Sequence, residues 1–156
     1  MGFLQEARQK LFGHPHECPP NCRNCNDFIR RLVGTSPDTI ESRFGYCGIP
    51  EDPFAPIRTC VKTSDGIVVA VCDAKIQNNR AEIGIIRDPN IPLIGAADQA
   101  FSLMTQKLKA LNVQEVYGFV DDENSPSQNF LARNRFYPDI DDIDGNRGDT
   151  TWRREL

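Results

Sequence analysis

Residues 79–136 read NRAEIGIIRDPNIPLIGAADQAFSLMTQKLKALNVQEVYGFVDDENSPSQNFLARNRF, and this stretch decides the fold. Its opening, RAEIGIIRD, has the branched, near-continuous apolar run of a buried strand. GAADQAFSLMTQKLKAL follows, with Ala97, Phe101, Met104, Leu108 and Leu111 at three- and four-residue steps, the apolar face of a helix. QEVYGFVDD is strand-like again, with Val116 and Val120 flanking an apolar core. Strand, helix and strand of these lengths make a right-handed crossover between parallel strands. The joint between the first strand and the helix is where such units bind anions, because the unpaired N–H groups of the helix start point there. A phosphate-bearing ligand is therefore expected near Leu93 to Ala97. A crossover that only builds the sheet is the alternative.

Outward from this unit, IRTCVKT and IVVAVCDA read as two strands joined by Ser64-Asp65-Gly66, a hairpin signal. An antiparallel meander thus runs into the crossover. NDFIRRLVG fits a short helix with Phe28, Ile29, Leu32 and Val33 inward, closed by Gly34. Ser36 before Pro37 marks another helix start, a capping hydroxyl followed by proline in the first turn. Downstream, Ser125-Pro126 opens a helix anchored by Phe130, Leu131 and Phe136, and TTWRREL reads as a final strand with Trp152 packed. The acidic YPDIDDIDGN between them lacks the spacing of a calcium loop and reads as a solvated loop.

The order of parts from Ile57 to Phe136, about half the chain, resembles the GNAT superfamily of CoA-dependent N-acyltransferases. In that superfamily a strand ends in a loop, a helix starts on small residues (here Gly95-Ala96-Ala97), and a second strand leads to an asparagine (here Asn124). SPDTIESRFG also resembles a helical phrase of one branch that includes protein-lysine acetyltransferases. Three positions depart from the family pattern: Pro92 replaces the basic or amide residue of the phosphate loop, Leu131 takes the usual tyrosine place, and Arg135 takes the glycine place. The resemblance implies an α/β (α+β) fold: a mixed central sheet with an antiparallel meander, a crossover helix and flanking helices. It places the acyltransferase domain at residues 27–156, after an N-terminal helix and Cys/His-rich segment at 1–26.

By the same resemblance, acetyl-CoA is the co-substrate. Its pantetheine arm would meet the main chain of Ile85, Ile86 and Arg87, and its phosphates the N–H groups near Ile94, Gly95, Ala96 and Ala97. Asn124 would bind pantetheine or order water; as a turn residue it equally serves to bond backbone. Glu82, in the phrase AEI, resembles the glutamate of the histone-acetylating members and is the candidate base; a solvent-facing glutamate alternating with buried neighbours is the bland reading. Tyr117 is a candidate proton donor or a core residue.

The N-terminal segment GHPHECPPNCRNCNDF gathers His14, His16, Cys18, Cys22 and Cys25. Soft thiolates with one imidazole suit tetrahedral zinc, and an iron–sulfur site is a further candidate. The set expected is Cys18, Cys22, Cys25 and His16, with the segment held in turns by Pro15, Pro19 and Pro20. A proline-rich turn with unligated thiols is the alternative. Cys60 and Cys72 fall in apolar runs and read as small core residues, whereas Cys47 lies in a turn.

The chain has 156 residues, 26% of them charged, and a net charge of -4. That balance excludes a basic footprint for nucleic acid, and no apolar run approaches membrane-spanning length. A cytoplasmic location is expected, with the cysteines as thiols or ligands rather than disulfides. The function expected is transfer of an acetyl group to an amine, on a small molecule or on a protein lysine or N-terminus, with a homodimer among the assemblies considered. Its rival is a catalytically degenerate binding or regulatory protein whose Cys/His segment senses metal or redox state.

Overall fold

A computed structural model of the chain describes residues 13–18, 22–35, 57–88, 90, 91, 93, 95–139 and 148–156. The expected N-terminal helix, the helix expected after Ser36, Cys47 and residues 140–147 of the acidic segment lie outside these residues. Seven strands form one mixed sheet: β1 (His14–Cys18), β2 (Ile57–Lys62), β3 (Val68–Gln77), β4 (Arg80–Arg87), β5 (Glu115–Asp121), β6 (Tyr137–Pro138) and β7 (Asp149–Glu155). Their spatial order is β1-β2-β3-β4-β5-β7-β6. Among the described residues the helices are α1 (Arg23–Thr35), α2 (Ala96–Ala110) and α3 (Ser125–Arg133).

The meander forms as its turn residues require. Gly66 takes a φ of 83°, and the Thr63 N–H donates to the Ile67 carbonyl across the turn at 2.8 Å. β3 is buried along its first seven residues because helices cover both of its faces. One face carries Val61, Ala70, Cys72, Ala74, Ile83 and Ile85 against Ala100, Phe101, Met104 and Leu108 of α2. The other carries Cys60, Val68, Val71 and Ile86 against Phe28, Ile29 and Leu32 of α1. The stripe of α2 sits slightly differently from the expected one. Ala96 and Ala100 are buried in place of Ala97, and Leu111 caps the helix half-exposed. Phe101 ties α2 to the end of the unit, with its ring 6.0 Å from Phe130 and 5.5 Å from Phe136.

Two expectations are corrected near the N-terminus. His14–Cys18 is not a turn but an edge strand, paired antiparallel with β2 from His14 opposite Lys62 to Cys18 opposite Arg58. Pro15 is tolerated because an edge strand has one unpaired side where no N–H is required. Residues 23–26 are also helical: α1 begins before Cys25, and the Asn26 N–H donates to the Cys22 carbonyl at 3.0 Å. The final strand β7 is inserted antiparallel beside β5, pairing Gly118 with Trp152.

Candidate active site

β4 and β5 are parallel, and their pairing has three register positions: Arg80 with Glu115, Ala81 with Val116, and Glu82 with Tyr117. After Glu82 the strands part. On its other edge β4 stays paired with β3 as far as Arg87 opposite Ala70, so the parting is one-sided. The gap opens a cleft of about 370 Å³. Ile83, Ile85 and Arg87 form one wall, Gly118, Phe119 and Val120 the other, and Ala97 of α2 stands at one end. Pro126, Ser127, Phe130, Leu131 and Arg133 of α3 close it from the side. Gly118 marks the narrow end: a side chain there would start 3.4 Å from the Ile83 carbonyl oxygen.

The helix entry beside this cleft is shaped for a close approach. Gly95 caps α2 in the left-handed region, φ 75°, with open space within 4 Å of where a side chain would start. Ala97 adds only a methyl group. The first-turn N–H groups of a helix have no intrahelical partner, so this end is electropositive. Asp98 in that turn is bound by Arg133, at 3.0 and 2.9 Å, and by the Asn134 amide at 3.0 Å. Arg133 therefore lies at the mouth of the cleft, fastened between α3 and the start of α2.

All the expected site residues except Ile94 have a definite place. Ile85 and Arg87 line the cleft, while the Ile86 side chain points into the α1-side core. Ala96 is buried behind Ala97, and Ile94 lies outside the described residues. Asn124 is fully buried, and its side-chain oxygen caps α3 by accepting the Ser127 N–H at 3.2 Å. Glu82 and Tyr117 lie opposite one another at the last paired position. Burial, and then the nearby Glu82 charge, push the Tyr117 phenol above its ordinary value, so the ring keeps its proton at neutral pH. Arg80 sits 4.4 Å over that ring, and Phe119, which does line the cleft, meets it edge-on at 5.9 Å. The Sγ atoms of Cys18, Cys22 and Cys25 come together within 4.8 Å of one another; His16 is exposed and outside that group.

Sequence reasoning missed Gly118, Phe119 and Arg133. A glycine inside a strand is a signal for close backbone approach and was available for Gly118. Arg133 had no local signal, since its partner Asp98 is 35 residues away in the chain.

No family model matches the sequence, and no curated protein does. Solved structures do. The ribosomal-protein-S18-alanine N-acetyltransferase of Escherichia coli is similar over 93% of this chain and 94% of its own, at 11% identity and a TM-score of 0.65. The PaiA N-acetyltransferase of Thermoplasma acidophilum, in complex with coenzyme A, covers 84% of this chain and 68% of its own, at 16% identity and a TM-score of 0.58. N-acetylglutamate synthase of Neisseria gonorrhoeae, complexed with coenzyme A and N-acetyl-glutamate, covers 93% of this chain at 11% identity and a TM-score of 0.67, and the chain spans 35% of that longer protein. The fold is that of the GNAT N-acetyltransferases.

Proposed function

We propose that the protein is an acetyl-CoA-dependent N-acetyltransferase acting on an amine, borne by a small molecule or by a protein lysine or N-terminus. The parting of β4 from β5 carries this reading, because it ends at the open N-terminus of α2. A thin, amide-bearing pantetheine arm suits a slot edged by strand backbone at Ile85, Ile86 and Arg87. Its pyrophosphate suits the helix start at Gly95, Ala96 and Ala97.

The chemistry is acyl transfer. The neutral amine nitrogen attacks the thioester carbonyl carbon, the C–N bond forms and the C–S bond breaks. Glu82 takes the proton lost by the amine, through water, and Tyr117 returns a proton to the departing thiolate. A backbone N–H of the β4 edge polarises the carbonyl oxygen. Asn124 acts through α3, whose first turn it fastens beside the cleft.

Thermal unfolding with acetyl-CoA tests the reading. A ligand at about a hundred times its Kd stabilises by about 2.7 kcal/mol, which is several degrees in a domain of this size. An unchanged Tm at millimolar acetyl-CoA would sink the proposal.

One observation favours a second reading, a binding or regulatory protein on the same scaffold. Leu131 presents hydrocarbon to the cleft at the position of the family's tyrosine. That reading expects the acetyl-CoA shift but no release of CoA thiol across a panel of amines.

A further inference from the structure

The sheet brings a fourth cysteine to the N-terminal trio. In the register of β1 on β2, Cys18 lies opposite Arg58 and His16 opposite Cys60. Side chains alternate along a strand, so Cys18, Arg58 and Cys60 share the sheet face that α1 covers. Cys22 immediately precedes α1 and Cys25 lies in its first turn. Cys25 and Cys60 are fully buried, and Cys18 nearly so. The Cys18 and Cys25 sulfurs are 3.2 Å apart without being bonded, and Cys60 is buried in the same cluster as both. Cys72 faces the opposite core, against α2.

We propose that Cys18, Cys22, Cys25 and Cys60 hold one zinc ion in a closed tetrahedral site that clamps α1 to the β1–β2 edge of the sheet. This inference is independent of the transferase reading.

Four observations converge on it. Zinc–sulfur bonds of about 2.3 Å set tetrahedral sulfur–sulfur edges of about 3.8 Å. The 3.2 Å between the Cys18 and Cys25 sulfurs and the limit of 4.8 Å among Cys18, Cys22 and Cys25 bracket that edge. A four-iron cluster does not fit. Its cysteine sulfurs must stand outside a core of four irons and four sulfides, whereas the Cys18, Cys22 and Cys25 sulfurs converge on the space of a single ion.

The surroundings also suit the charge. Four thiolates around a divalent ion leave two net negative charges. Arg58 is buried on the same face, held by Asp73 at 2.6 and 3.2 Å and by the Asn26 side-chain oxygen at 2.7 Å. Lys62 stands two residues beyond Cys60 on β2, a further cation on the same strand. The N-terminus of α1 adds its partial positive charge beside Cys22 and Cys25. Finally, all four ligands come from the protein, which leaves no open position and marks the site as structural rather than catalytic. On binding, each thiol gives its proton to solvent and its sulfur pair to the ion.

The test is elemental analysis of the full chain purified without chelator. About one zinc per chain is expected. Cys60→Ser should lose it, whereas His16→Ala and Cys72→Ser should keep it. Cobalt(II) exchanged into the protein should show the absorption of a tetrahedral thiolate site. Should Cys60→Ser prove insoluble, titration of the unmodified protein with a mercurial reagent serves instead, with zinc released in step with four thiols. Metal-free protein that takes up no added zinc overturns the proposal. So does a Cys18–Cys25 disulfide in the purified chain, an iron cluster in place of zinc, or a variant pattern in which His16→Ala loses the ion and Cys60→Ser retains it.

Discussion

Glu82 and Tyr117 are the last residues paired between the two parallel strands, and the cleft begins one residue beyond them. A carboxylate and a phenol that keeps its proton thus stand together where the sheet comes apart. Glu82→Gln keeps the shape and removes the base. It should lower kcat by about a hundredfold or more, with the KM for acetyl-CoA little changed. Steady-state rates with a saturating amine check this; a change within about twofold would return Glu82 to the role of a surface residue.

Ala97→Asp separates binding from stability. A carboxylate in the first turn of α2 favours the helix electrostatically, so the Tm of the free protein should hold or rise slightly. The same charge repels a pyrophosphate and fills the end of the cleft. Acetyl-CoA should then give no thermal shift at concentrations that stabilise the unmodified protein.

Asp98 has a signed pH dependence. Burial raises its pKa, but the bonds from Arg133 and Asn134 outweigh that and hold it below the usual carboxylate value. Its contribution is therefore complete above the unfolded pKa, about 3.9, and is lost as pH falls through the lower folded value. The pair is half-exposed, so the amount is modest, about 1 kcal/mol or less. Asp98→Asn should cost about that much at pH 7 and flatten the fall in stability below about pH 4, read by urea unfolding across pH.

Phe101 is 1% exposed and touches both Phe130 and Phe136, so it couples the crossover helix to the wall of the cleft. Phe101→Ala should cost about 3–5 kcal/mol in urea unfolding. A loss under about 1 kcal/mol would mean that α3 repacks without it.

Asn124→Ala removes the cap of α3 and leaves the Ser127 N–H unpaired, at a cost of about 1–2 kcal/mol. Asn124→Asp keeps an acceptor and should recover most of that stability. If acetyl-CoA affinity fell equally in both variants, Asn124 would have to touch the ligand itself.

The crossover was legible in the sequence because its signals are local. The branched run of RAEIGIIRD, the helical spacing of Phe101, Met104 and Leu108, and the Ser64-Asp65-Gly66 turn are each readable within a dozen residues, and all appear in the fold. β1 was not legible, since a strand of five residues with two histidines and a proline carries no apolar alternation and exists by pairing with β2, some forty residues on.

The sequence by itself determined the order of elements from β2 to α3 and the small residues at the start of α2, because periodicity and side-chain size act within one segment. Only the tertiary structure decided that β4 and β5 part after Glu82, that Arg133 reaches Asp98, and that Cys60 joins Cys18 and Cys25 while Cys72 does not. Each of these depends on strand register and on which sheet face a residue takes. A shift of one residue exchanges the two faces, and nothing in a neighbouring side chain records which was chosen.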